Sequence, residues 1–162
     1  MVYIMRFYTD GACRRNGQPG ATGAAAAVLM KRGGGTSSWF KKLPANPRPT
    51  NQRAEITAII IALQQALVLF RTLQTDPRLD ITIYSDSRYA VNCMNEWVYK
   101  WCSNGWINSA GFEVANRDLI EEASNLDDQL KEEGSVQYKW IPREDNQIAD
   151  ELCNQVLDDL EC

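Results

Sequence analysis

The 162-residue sequence predicts one α/β domain, residues 1–162, built as a single mixed sheet with helices packed on it. Three observations lead there. Three short runs of strand-forming residues separated by turns open the chain. A long run of Ile, Leu and Ala follows Thr50. Beyond it, short strand patterns alternate with helical ones.

Val2 to Thr9 is rich in β-branched and aromatic residues and reads as the first strand. The glycines of 17–23 make a turn, Ala24 to Lys31 a second strand, and Gly33–Gly35 a tight turn into a third, Thr36–Leu43, so a meander of three antiparallel strands is expected. Pro44, Pro47 and Pro49 mark a loop. Thr50 suits the cap of a helix running to about Leu73, apolar on most of its circumference and hence buried. Ile81–Ser85 is a short strand, and Asp86–Ser87 opens a helical segment. Trp97 to Phe112 reads as irregular and aromatic, Phe112 to Lys131 as a polar helix, and Val136–Ile141 as the last strand. Asp145 to Leu160 closes the chain as a helix, with Ile148, Leu152, Val156 and Leu160 spaced four apart.

Composition narrows the chemistry. No segment approaches the apolar run of a membrane span, and the first ten residues are too polar for a signal peptide, so an intracellular protein without a membrane partner is expected, as a monomer. The five cysteines, at 13, 93, 102, 153 and 162, form no C-x-x-C pair and read as reduced thiols: buried small hydrophobes plus an exposed terminal Cys162. Histidine is absent, which removes Ser-His and Cys-His nucleophiles, the usual imidazole acid–base step and His-containing zinc sites. The net charge of −4 is unevenly spread. Nine Lys/Arg stand against one acid up to Arg53, and eight against twenty beyond it. A polyanion-facing region explains that split; a merely lopsided surface explains it equally.

Four acids stand apart from those on polar surface. Asp10 closes the first strand, Glu55 falls early in the buried helix, Asp86 ends the fourth strand, and Asp150 borders the apolar stripe of the last helix. Each has an ordinary explanation alone, Asp86 as a helix cap or Glu55 as an acid near a helix N-terminus. Together they suggest a metal site, because buried carboxylates need a partner or a cation.

Tyr8-Thr9-Asp10-Gly11-Ala12-Cys13, Thr50-Asn51-Gln52-Arg53-Ala54-Glu55 and Tyr84-Ser85-Asp86-Ser87-Arg88-Tyr89 closely resemble motifs of type 1 ribonuclease H. So does the stretch from Asn95-Glu96-Trp97 through Asn104-Gly105-Trp106 to Ser109-Ala110-Gly111. Order and spacing match from about Tyr3 to Leu152. The resemblance implies a ribonuclease H-like fold with a five-stranded sheet in the order 3-2-1-4-5. It implies Asp10, Glu55, Asp86 and Asp150 converging on two Mg²⁺ ions, with Mn²⁺ as an alternative, and hydrolysis of the RNA strand of an RNA–DNA hybrid to 5′-phosphate and 3′-hydroxyl ends. Hard carboxylate oxygens suit such ions.

By the same resemblance, Asn16, Asn51 and Gln52 match minor-groove positions that meet bases and RNA 2′-hydroxyls. Cys13 is either their neighbour in that contact or an ordinary loop cysteine. Arg48, Thr50 and Asn116 match a pocket for one phosphate of the DNA strand, and Trp97, Trp101 and Ser109 a channel for DNA sugars, whereas Trp106 reads as core. Two departures stand out. The junction Arg143-Glu144-Asp145-Asn146 is shorter than the histidine-bearing loop of bacterial and animal members and is similar to the R-E-x-N-x-x-A-D pattern of archaeal and plant-type relatives. Arg143 and Glu144 are candidates to replace the histidine. In addition, Lys100 is the one basic residue of the 97–112 protrusion. A catalytically silent hybrid- or RNA-binding module, or another two-metal nuclease on this fold, remains the alternative reading.

Overall fold

A computed structural model describes residues 1–161 and has five strands in one open sheet, ordered β3-β2-β1-β4-β5. These are β1 (Val2–Arg14), β2 (Thr22–Met30), β3 (Thr36–Lys42), β4 (Arg78–Ser85) and β5 (Gly134–Trp140). The first three pair antiparallel, while β4 joins β1 and β5 joins β4 in parallel. Helices α1 (Asn51–Thr72) and α4 (Arg117–Lys131) lie on one face, and α5 (Gln147–Leu160) on the other. Between β4 and α4 run α2 (Arg88–Asn92), a π-helical turn (Cys93–Trp97) and α3 (Val98–Asn104).

The alternation of β2 explains the two layers. Ala25 and Ala27 join the core beneath α1, while Ala24 and Ala26 meet α5, so a strand covered on both faces is buried nearly throughout. Small side chains on the α5 face also decide how that helix sits. Ala149, Cys153, Val156 and Leu157 turn inward, whereas Ile148 and Leu160 are exposed. The expected stripe of Ile148, Leu152, Val156 and Leu160 is therefore off by about one residue, because the alanine surface accepts Ala and Cys more closely than branched chains.

Other boundaries differ for equally local reasons. β1 continues past Asp10 to Arg14 by pairing with β2, so Asp10 lies within the strand; what ends there is the β4 partnership, whose last pair is Thr9↔Ser85. The 97–112 stretch is not wholly irregular: its first half is helical, until Gly105 in the left-handed region ends α3. α4 starts at Arg117 rather than Phe112, because Asn116 is also left-handed and breaks the helix there. Likewise α5 begins at Gln147, after a 3-10 turn at Arg143–Asp145.

Helix α1 corrects the membrane expectation. Its 22 residues are long and apolar enough to span a bilayer by length and composition. Its apolar face is used otherwise: Ala54, Ile56, Ala58, Ile59, Ala62 and Leu63 are buried in the main core with Met5, Phe7, Ile81 and Ile83. Thr50 caps it as expected, its hydroxyl accepting the Arg53 amide at 3.1 Å. Of the cysteines, Cys93 and Cys153 are buried, Cys13 half-buried and Cys102 exposed, and all four are free thiols. Cys162 lies outside the described residues.

Two glycines, Gly11 and Gly134, are required by close approach to backbone, and the first bears on the site. A Cβ on Gly11 would stand 2.2 Å from the Ala54 carbonyl carbon and 2.4 Å from the Glu55 nitrogen, both backbone. β1 can lie this near α1 only without a side chain there. Gly11→Ala is expected to lower unfolding free energy by at least about 2 kcal/mol through overpacking, measured by urea titration; a loss within error would mean that α1 moves aside freely.

Candidate active site

The parallel register builds the site. After Thr9↔Ser85 the two central strands stop pairing, and the next residue of each is an aspartate, Asp10 and Asp86. Ligands in open α/β sheets gather where parallel strands end. Glu55, one turn into α1, reaches the same place and accepts the Gly11 amide at 3.2 Å. One oxygen each of Asp10, Glu55 and Asp86 lies within 4.8 Å of the others. Ser87 rather than Asp86 caps α2, its hydroxyl accepting the Ala90 amide, so the Asp86 carboxylate is left to the cleft.

Asp150, in the first turn of α5, is the fourth member. It lines the same cleft and lies close enough to Asp10 to hydrogen-bond it, but it stands outside the three-carboxylate cluster and pairs with Arg143 at 3.5 Å. Burial first, then the charges of Asp86 and Asp150, push Asp10 up to about 8 from its ordinary 3.8. Burial and the charges of Asp10 and Asp86 also push Glu55 well up. Burial raises Asp86 too, opposed by a hydrogen bond from Asn146 and by Arg143. Among the described residues that line the cleft, four acids face a single cation, the exposed Arg143. A cluster of oxygen ligands this short of positive charge fits a hard divalent cation, and no imidazole or thiolate is needed to complete it.

The substrate candidates fall into two groups. At the cleft, the Cys13 amide donates to Asn51 Oδ1 at 3.0 Å and the Asn51 amide to Asn16 Oδ1 at 3.1 Å. This joins the end of β1, the following turn and the start of α1. Beside it runs a groove lined by Gln52, Tyr89, Trp97, Lys100, Trp101 and Ser109, and Gln52 borders both cleft and groove. The rings of Tyr89, Trp97, Trp101 and Trp106 follow one another at 6.0, 5.8 and 6.3 Å. Trp106 is buried, as expected of a core residue, while Trp97 and Trp101 are half-buried. Arg48 is exposed and donates only weakly, to the Gly17 carbonyl at 3.4 Å; Thr50 is engaged in capping. Glu144 is exposed and does not line the cleft.

Two residues are given no role by the sequence. Arg53 is held by both oxygens of Asp118, at 3.0 and 2.7 Å, and approaches Asn116 Oδ1 at 3.4 Å, while Asn116 donates to the Tyr89 hydroxyl at 3.0 Å. This fixes Asn116 between α1 and the aromatic segment, and only the tertiary meeting of α1 with α4 reveals it. Asn146 enters the sequence reading only as the asparagine of the R-E-x-N-x-x-A-D pattern, with no role attached; it is wholly buried and carries an unpaired oxygen. Such an orphan costs about 1–3 kcal/mol.

The raised carboxyls fix the sign of a pH effect. A carboxyl whose folded pKa lies above its unfolded value binds more protons when folded, so its stabilisation is complete below the unfolded value and is lost as pH rises through the folded one. Without divalent cations, thermal stability should therefore fall between pH 4 and pH 8, and Asp10→Asn should flatten that fall. Added Mg²⁺ should raise Tm more at pH 8 than at pH 5, by about 2–4 °C for each kcal/mol of binding linkage. Equal Mg²⁺ effects at both pH values would show that the cluster does not take up the cation.

The family model described as RNase H matches residues 3–158. The ribonuclease H of Francisella philomiragia is 36% identical over 159 residues, covering 94% of this chain and 90% of that protein. Among solved structures, RNase H1 from the halophilic archaeon Halobacterium salinarum is 28% identical with a TM-score of 0.63, covering 97% of this chain and 99% of that one. LC11-RNase H1 in complex with an RNA/DNA hybrid is 25% identical with a TM-score of 0.67, covering 98% and 99%. The chain thus belongs to the ribonuclease H family.

Proposed function

We propose that this protein hydrolyses the RNA strand of RNA–DNA hybrids with Mg²⁺, or Mn²⁺ in its place, leaving 5′-phosphate and 3′-hydroxyl ends. The observation that carries the reading is the convergence of Asp10, Glu55 and Asp86 within 4.8 Å, with Asp150 in the same cleft. These four residues would hold the cations. When bound, a pair of such ions supplies positive charge for an in-line displacement at phosphorus and makes water more acidic. A catalytically silent binder would gain only repulsion from four acids beside phosphate, so catalysis is the better reading of the same cleft.

The chain's own residues choose and hold the substrate. Oδ1 of Asn16 and Oδ1 of Asn51 are committed to backbone amides, which leaves their Nδ2 groups as the donors available to a bound nucleic acid. Such donors suit minor-groove acceptors and the 2′-hydroxyl, the group that distinguishes RNA from DNA. Trp97 and Trp101 offer ring faces to the sugars of the other strand, and Lys100 and Arg48 offer charge to its phosphates. Asn116, oriented by Arg53 and Tyr89, presents its amide beside Gln52. Arg143 is the positive side chain of the cleft, poised between Asp150 and an incoming phosphate. Contacts of this sort set register rather than sequence, so wide sequence tolerance follows.

Labelled hybrid, RNA duplex and DNA duplex, each with Mg²⁺ or EDTA, test the activity. Cleavage is expected only in the hybrid's RNA strand and only with the metal, and Asp10→Asn should reduce turnover by at least about 100-fold while hybrid binding survives. Comparable cutting of DNA duplex, or turnover in EDTA, would refute the assignment. Binding gives a second check: Arg48→Ala should flatten the dependence of hybrid affinity on log salt by about one counterion. An unchanged slope would remove Arg48 from the phosphate contacts.

A further inference from the structure

Among the described residues, Oδ1 of Asn146 is the one buried side-chain oxygen or nitrogen that no donor reaches. Asn146 stands at the N-cap of α5, where an asparagine ordinarily turns its oxygen onto an amide of the first helical turn. Here the side chain makes no capping bond. Its Nδ2 donates instead to the Thr9 carbonyl at 2.8 Å and to Asp86 Oδ2 at 3.3 Å, while its backbone carbonyl accepts the Asp150 amide at 3.1 Å. Both Nδ2 hydrogens being committed, the amide cannot turn over to satisfy its oxygen.

One residue thus joins the backbone just before Asp10, the carboxylate of Asp86 and the turn that carries Asp150. We propose that Asn146 is a positioning residue of the cation site, an amide that forgoes helix capping to fix Asp86 against β1 and α5 against both. The proposal rests on the metal-dependent reading given above. Its chemistry admits few substitutes. Two acceptors, Thr9 O and Asp86 Oδ2, require two N–H donors on one short side chain. An aspartate would put an acceptor against them. A serine would be too short for the bridge but well suited to capping α5, so serine separates the two roles.

The test uses the full chain, with Mg²⁺ alone as the first probe. Parent, Asn146→Ser and Asn146→Asp are titrated with Mg²⁺ while thermal unfolding is followed, and kcat and KM are then measured on hybrid at saturating Mg²⁺. Both variants should need on the order of 10-fold more Mg²⁺ for the half-maximal rise in Tm and lose kcat on the order of 10-fold or more. KM for hybrid should move much less, and metal-free Asn146→Ser should be as stable as the parent because it regains a cap. A serine variant with the parental Mg²⁺ midpoint and parental kcat would overturn the proposal, since a purely structural asparagine predicts that outcome. Should the aspartate variant not fold, the serine variant alone decides. The Mg²⁺ midpoint is read without turnover, so a parent that binds Mg²⁺ but leaves hybrid uncut would refute the proposed function and still test Asn146.

Discussion

Mutual repulsion among the carboxylates is the constraint around which this molecule is arranged. Three oxygens from Asp10, Glu55 and Asp86 lie within 4.8 Å of one another. At an effective dielectric of 20, each ionised pair at such a distance is unfavourable by about 3 kcal/mol. Left to local preference, such side chains would separate into water. They do not, because each is fixed by a different rigid element. Asp10 and Asp86 are set by the register of β1 and β4, and Glu55 by the packing of α1 over Gly11. The opposing term is the core directly beneath: Phe7, Ile81, Ile83, Ile56 and Ile59 are almost fully buried, each side chain contributing about 1.5–3 kcal/mol. Hydrophobic burial holds the charges together, and the strain is relieved by protons or by a cation.

That division of labour explains why α1 is so apolar yet begins in so polar a segment. Its middle turns supply the core, while its first turns carry Asn51, Gln52 and Glu55 to the cleft. The same helix therefore couples stability to geometry. A shift of α1 large enough to accommodate a side chain at residue 11 would also move Glu55 and the Asn51–Cys13 bond. α5 is tied down comparably at both ends. Arg14 pairs with Asp158 and Glu161 near its C-terminus, at 2.6 and 2.8 Å, and Asn146 holds its start.

Much of this is legible in the sequence alone. The strand and helix order, the cap at Thr50 and the four carboxylates can be read from β-propensity, apolar periodicity and isolated acids in apolar settings. The sheet order came with the family resemblance. What eluded sequence reading were contacts across distance. Nothing local announces that Arg53 meets Asp118, or that Asn146 turns toward Thr9 and not its own helix. The stripe of α5 was misplaced for a similar reason: periodicity marks an apolar face, but the alanines of β2 decide which residues can approach. Helix α1 shows the converse hazard, since composition suited to a bilayer serves here to fill the core against the sheet.

The charge distribution bears on how an acidic chain could hold a polyanion. Several basic residues of the first third are neutralised within the fold, Arg6 by Asp80, Arg14 by α5 and Arg53 by Asp118. Arg48 and Lys100 have no carboxylate partner among the described residues, and Arg143 has a long one at 3.5 Å. A handful of phosphate contacts releases few counterions, so electrostatic affinity alone is modest and its salt dependence shallow. On the proposed reading, binding would lean on the aromatic groove, where sugars pack on the ring faces of Trp97 and Trp101 by contacts that carry no charge. On the same reading it would lean equally on cation uptake, which would turn the cleft from repelling phosphate to attracting it. An apo protein of this composition should resist nucleic acid at its own active site, and the metal that enables chemistry is then also what admits the substrate.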